Sequence, residues 1–227
     1  PPLLPTDSLK PAMMIVLGLF FAGAGLILLL IAYRQTQRKT MLSALPLDAQ
    51  NESDRYGSVT RALHWMTAIL ILILIPMGVF TSMIPEDIWY RQGYYVAHKT
   101  IGLTVLILVF GRLVWHWISP KPGQDVHLKN WEKKSAHTAH ILLYLLMIGF
   151  PITGYIMSTY AGKLSHFFIW DLPMLMEPSK ELIFPFVLAH KIALPVLFYV
   201  VFIAHVGGVI KHRYIDRSVS TLRRMLG

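Results

Sequence analysis

Four histidines sit inside long apolar runs of this 227-residue chain: His64 in "TRALHWM", His98 in "AHKTIGL", His190 in "AHKIALP" and His205 in "FIAHVGG". Ionisable side chains are costly in such runs and mark function there. Imidazole is also a good ligand for iron and other transition metals. His190 and His205 share one run and are 15 residues apart, about 22 Å along a helix. At about 100° per residue their directions differ by roughly 60°, so both can face one bundle interior at two heights. His64 and His98 each lie about one turn inside the start of their own runs. If the runs alternate in direction, His64 matches the height of His205 and His98 that of His190. A bis-histidine haem takes one imidazole from each side of the iron, and bundle cores hold such cofactors. The spacing therefore offers two stacked sites, His64 with His205 and His98 with His190. A lone histidine in an apolar span is ordinarily a hydrogen-bonded packing residue; four at two matched heights favour ligation. Zinc is the rival metal, but its structural sites gather four ligands in one tetrahedron, and these histidines separate into two distant pairs.

The elements that must position them are membrane spans. The chain is 55% hydrophobic and only 15% charged, too apolar for an ordinary soluble domain. Apolar runs near 11–33, 60–83, 95–118, 137–159 and 186–210 approach the roughly 20 residues that cross a bilayer. The first is long for a signal peptide, and no basic stretch beyond Lys10 precedes it, so it is expected to span. The polar segment 34–55, with "SALPLDAQNESD" beginning in it, reads as a linker from this extra helix to a four-helix core over 56–227. The stretch 160–185 is an aromatic-rich loop; Phe167, Phe168 and Trp170 in it suit the bilayer interface or a lid.

Charge sets the orientation. Of the 21 lysines and arginines, 15 fall in the segments after the first and third runs and after the last, counting Arg61 and Arg112 at the adjoining ends of their runs. Basic segments stay cytoplasmic, which places the N-terminus outside and the C-terminus inside. His64 and His205 are then the inner pair, and His98 and His190 the outer pair. The net charge of +9 is explained by these loops, so no nucleic-acid partner is called for. Cysteine is absent, which excludes disulfides, iron–sulfur clusters, thiolate zinc sites and covalently attached c-type haem.

Secondary candidates surround the four histidines. Arg61 is one turn outward from His64 and Arg112 lies behind it; both suit haem propionates or, as the bland alternative, lipid phosphate. Lys99 and Lys191 directly follow the outer histidines. They suit propionates, or a basic funnel that draws small anions to the outer site. His140, in "KSAHTAH", suits a quinone, propionate or proton role. His116 points the same way as His98 but lies about a turn too far out to be an axial ligand. His127 and His166 fall in loops, His212 sits between Lys211 and Arg213, and His137 has headgroups as its default.

From about Tyr56 to the end the chain resembles the bacterial cytochrome b561 family, which groups with the di-haem b subunits of hydrogenases and formate dehydrogenases. The matching stretches are "RYGSVTRALHWM", "AHKTIGLTVLILVFGRLVWH", "AHILLYLLMIGFPITGYIMS", "LAHKIALPVLFYVVFIAHVGGVIKHRYID" and "TLRRML". The resemblance implies an all-α four-helix bundle in the bacterial inner membrane, with two b haems whose axial ligands fall on His64, His98, His190 and His205. It implies electron transfer to or from membrane quinone, and some members are similar to superoxide:ubiquinone oxidoreductases, for which Lys99 and Lys191 would meet the anionic substrate. The alternative is a haem-bearing membrane subunit that exchanges electrons with a partner redox protein, docked or dimerised through the extra helix 11–33. A third reading is a non-redox scaffold or metal transporter. Related sequences have one residue fewer between the two histidines of the last span. Pro195 falls in that interval, so a π-bulge or kink is expected near Ile192–Pro195.

Overall fold

A computed structural model describes residues 45–52, 55–81, 83–119, 122–123, 128–216 and 220–226. The extra helix expected over 11–33, and His127, lie outside the described residues. Four described helices are long and apolar enough to cross a membrane: α1 Ser58–Thr81, α2 Arg91–Ile118, α3 Asn130–Tyr160 and α4 Ile183–Ile215. A short C-terminal helix, α5 Ser220–Leu226, follows. Residues from Leu47 onward pack as one compact unit. Ile69, Leu72, Ile107, Phe110, Leu145, Val200 and Ile203 point outward. Helices that are apolar on all faces are stable in lipid, where every backbone group must be bonded within the helix.

Each helix runs past its apolar stretch for a local reason. α3 starts at Asn130 because Glu132 accepts the Lys129 amide N–H at 2.9 Å, closing the first turn. Lys211 on α4 then donates to Glu132 at 2.7 Å, fastening the two helices at this end. The start of α1 is fixed by Asn51, whose Oδ1 accepts from the Gly57 amide at 2.9 Å and from the Thr60 hydroxyl at 2.8 Å. A Cβ on Gly57 would come within 2.3 Å of the Gln50 carbonyl oxygen, so glycine is required for this approach. The Trp115 indole N–H completes the tie from α2 by donating to Thr60 at 2.8 Å. α5 packs against the same end, where its Arg224 carbonyl accepts from Tyr56 and its Met225 carbonyl from the Trp65 indole.

The dry core lies midway along the bundle. Val105, Val109 and Met147 form one cluster between α2 and α3; Leu146, Phe198 and Val201 form another between α3 and α4. Along their helices these residues fall between the histidine-bearing turns, Val105 and Val109 between His98 and His116, and Phe198 and Val201 between His190 and His205.

Inside α4, Ala189–Ala193 forms a π-helical turn. Pro195 has no N–H to offer, and the Leu194 N–H reaches back five residues to the Ala189 carbonyl. The turn absorbs an extra residue and reorients His190 relative to His205, as the proline predicts, although it is centred just before the expected Ile192–Pro195. A second π turn at Lys211–Ile215 brings Lys211 and His212 onto Asp216, each at 2.7 Å.

The stretch between α3 and α4 contains a hairpin of two short strands, β1 Ser165–Phe167 and β2 Trp170–Leu172, paired antiparallel with Phe167 opposite Trp170. Their rings stack with centroids 6.3 Å apart. Phe168 turns the corner with a positive φ of 54°, and its amide donates to Thr100 of α2 at 3.3 Å.

Candidate functional site

His98 on α2 and His190 in the π turn of α4 face each other with ring centroids 6.4 Å apart and planes crossed at 83°. They border a cavity of about 570 Å³ walled by all four long helices, mostly with apolar side chains such as Leu74, Val105, Met147 and Phe198. That volume suits a cofactor. The His190 Nδ1 lies 3.1 Å from the Thr153 hydroxyl oxygen. The one hydroxyl proton of Thr153 is directed to the Gly149 carbonyl at 2.7 Å, so the Nδ1–H of His190 donates. This fixes the tautomer that leaves Nε2 open as a ligand atom. Gly154 makes the close packing feasible: a Cβ there would lie 2.8 Å from the His190 Cε1. The Phe150 ring, at 5.7 Å, braces the imidazole on another side. Among the described residues His98 Nδ1 is buried and has no hydrogen-bond partner, a costly state for a polar atom.

At the other end, His64 has the Arg112 guanidinium 3.3 Å from its Nδ1. His205 and His140 are near enough to His64 to interact electrostatically with it, and the His140 and His205 rings are 5.2 Å apart. Arg112 lies over the Tyr144 ring at 5.2 Å. The Tyr144 hydroxyl is 3.2 Å from His116 Nδ1. Arg61 is half-buried at the start of α1.

The two lysines predicted as equivalents are placed differently. The Lys99 ammonium donates to the Ser158 hydroxyl at 2.6 Å and to the Leu164 carbonyl at 3.0 Å. It thereby caps the C-terminal end of α3, where the helix dipole favours a cation, and fastens the approach to β1. Lys191 is exposed and borders the cavity. His166 pairs with Asp171 at 2.5 Å across the hairpin, and His137 is exposed. Thr153, Gly154, Tyr144 and Ser158 were not singled out from the sequence. A Thr–Gly pair amid large apolar residues is a usable signal, because small side chains admit a close neighbour in membrane helices.

A four-helix membrane bundle with imidazoles gathered toward each end of its interior has the make-up of a membrane-embedded b-type cytochrome. The sequence profile described as prokaryotic cytochrome b561 matches residues 55–227, and the chain belongs to that family. It is 32% identical to "Cytochrome b561 homolog 2" of Escherichia coli (strain K12), over 78% of this chain and 94% of the relative. It is 23% identical to "Cytochrome b561 homolog 1" of the same organism, over 76% and 97%. It is 22% identical to "Probable superoxide oxidase CybB" of Yersinia pestis, over 75% and 96%.

The protein is thus a multi-pass membrane protein of electron transfer, and its family implies a b-type haem. The residues fit that group. The cavity has apolar walls and two facing imidazoles, one held in the ligand-ready tautomer, the other with an unpartnered buried nitrogen.

Proposed function

We propose that the chain moves electrons across the bacterial inner membrane through two bis-histidine b haems, with quinone as the acceptor and superoxide as the donor. His98 and His190 would hold the outer group and His64 and His205 the inner one, the C-terminus being cytoplasmic. The observation that carries this reading is the pair His98 and His190, facing each other across the wall of one apolar cavity. Bound haem supplies one-electron redox capacity at each level. Two superoxide anions are oxidised to two dioxygen molecules while one quinone takes up two electrons and two protons to give quinol.

The residues of the chain supply the surroundings. Thr153 keeps the His190 Nε2 free by accepting from Nδ1–H. Lys191, exposed at the cavity border, and Lys99 beside it attract a small anion. Of the two, Lys191 is the less committed, since Lys99 already serves Ser158 and Leu164. Arg61 and Arg112 suit anionic haem substituents at the inner level, and His140, beside His205, suits the quinone or its proton. The name of the Yersinia pestis relative supports superoxide as the donor.

The test is stopped-flow mixing of the haem-loaded protein with superoxide, followed by quinol formation. Haem reduction that precedes quinol formation, slowed by salt and by Lys191→Gln, is expected. Haem that superoxide does not reduce would remove the donor assignment.

A second reading is favoured by one observation. The family match leaves the first 54 residues outside it, while the relatives are covered almost whole. The added segment suits a partner redox protein, or a second copy of the chain. Co-purification of a stoichiometric partner that reduces the haems would support it.

A further inference from the structure

We propose that the hairpin Ser165–Leu172 is an interfacial anchor, seating its tip Phe168–Ile169–Trp170 in the bilayer boundary at the His98 end of the bundle, with phospholipid as its partner. Depth is the first argument. The Phe168 amide donates to the Thr100 hydroxyl at 3.3 Å. Thr100 is seven residues from Gly93 and from Ile107, and eleven from Gly111. Those offsets are whole helical turns to within about 20°, so the four residues share one stripe of α2. Gly93, Ile107 and Gly111 are exposed, whereas Thr100 is buried. The stripe faces lipid, and the hairpin covers it at Thr100. About 20 residues cross the hydrocarbon layer; counted back from Ile118, where α2 ends, they reach Lys99. The hairpin therefore hangs on the lipid-facing flank of a membrane helix, at the edge of the hydrocarbon.

The chemistry of the hairpin suits that place. Its pairs are His166 opposite Asp171 and Phe167 opposite Trp170. They are one step apart along the strands and so lie on opposite faces, one an ion pair and the other a ring stack. The tip is apolar and uncovered: Phe168, Ile169 and Trp170 are 60%, 86% and 62% exposed. Phe168 has a φ of 54°, in a two-residue turn where glycine is the ordinary choice. An aromatic side chain there costs backbone strain, and strain of this kind points to function. Tryptophan favours the headgroup level. At that level the outer edges of a two-stranded sheet still reach water, which the hydrocarbon would deny them. Two ties set the depth, the Phe168 amide on Thr100 and the Lys99 ammonium on the Leu164 carbonyl just before β1. Both ties come from the turn of α2 that carries His98, so the bilayer steadies the wall of the cavity that Ser165 borders.

The chain has no cysteine, so an introduced one takes a nitroxide label at a single position. Full-length, haem-loaded Ile169→Cys is labelled and reconstituted in vesicles of phosphatidylethanolamine and phosphatidylglycerol. Collision of the label with oxygen, which concentrates in lipid, is compared with collision with a water-soluble nickel chelate. Ile107→Cys, on the lipid-facing stripe, and Glu177→Cys, at an exposed position beyond the hairpin, supply the two references. The oxygen-to-nickel ratio in Ile169→Cys is expected to be several-fold above that in Glu177→Cys and to approach that in Ile107→Cys. A ratio close to or below that in Glu177→Cys overturns the proposal. Shielding from both reagents also overturns it, since a protein, such as a second copy of the chain, would then cover the tip. Should Ile169→Cys fail to reconstitute with its haem, Phe168→Cys is read against the same two references and decides in the same way.

Discussion

Gly154→Ala should cost the protein its outer haem and leave the inner one. The added methyl would lie 2.8 Å from the His190 Cε1, 3.2 Å from Nδ1 and 3.4 Å from Nε2, so the ring or the helix has to move. The ring has little freedom. Its Nδ1 is tied to Thr153 at 3.1 Å, and Phe150 stands 5.7 Å away. Overpacking of this kind costs about 1–3 kcal/mol, which is roughly a five- to 150-fold loss in the affinity of the outer site. Haem per chain is counted under limiting haem, and the visible spectrum is titrated with reductant. The outer component should be depleted or shifted and the inner one unchanged. Gly93→Ala is the control, because a Cβ there meets nothing within 4 Å and the residue does not line the cavity. Two haems per chain with both midpoints at wild-type values in Gly154→Ala would refute the view that His190 needs this clearance.

Thr153→Val removes the acceptor of the His190 Nδ1–H; a less basic ligand results, so the outer midpoint should rise and outer haem affinity should fall about tenfold, read by the same titration. Lys99→Met cuts the ties to Ser158 and Leu164, and limited proteolysis should then cleave between Ala161 and Leu182 faster than in the parent protein, with haem content at the inner level unaffected. Asp216 lies beyond α4, and its carboxyl is held below the usual carboxylate range, first by the hydrogen bond from Lys211 and then by that from His212. A depressed carboxyl stabilises the fold above its unfolded value and loses that contribution as pH falls through its folded value. Thermal unfolding of Asp216→Asn in detergent should therefore fall below that of the parent at neutral pH, and the two curves should converge once the pH drops below the ordinary carboxylate range.

The four described spans were legible because lipid-facing helices are apolar on every side, as Leu72, Ile107, Leu145 and Val200 illustrate. Their ends were not, since α2 begins at Arg91 and α3 at Asn130, turns that lie outside the apolar stretch and are held by contacts such as Glu132 with the Lys129 amide. The π turn was announced by Pro195, but its centre falls at Ala189–Ala193 because the missing donor acts on carbonyls one turn earlier. The hairpin Ser165–Leu172 escaped notice as a strand pair: three-residue strands are too short to show an alternating pattern. Spacing along the chain placed His98 and His190 at one height, where the structure brings them together. It was silent on lateral neighbours. That Tyr144 supports Arg112 and Ser158 receives Lys99 depends on how α2 turns against α3, which periodicity alone does not fix.

The most direct test of the haem arrangement is a redox-titrated visible spectrum, with haem counted per chain, on the parent protein and on His190→Ala and His205→Ala. Two low-spin components are predicted for the parent, with a different one missing from each variant. A full complement of six-coordinate haem in either variant would contradict the assignment.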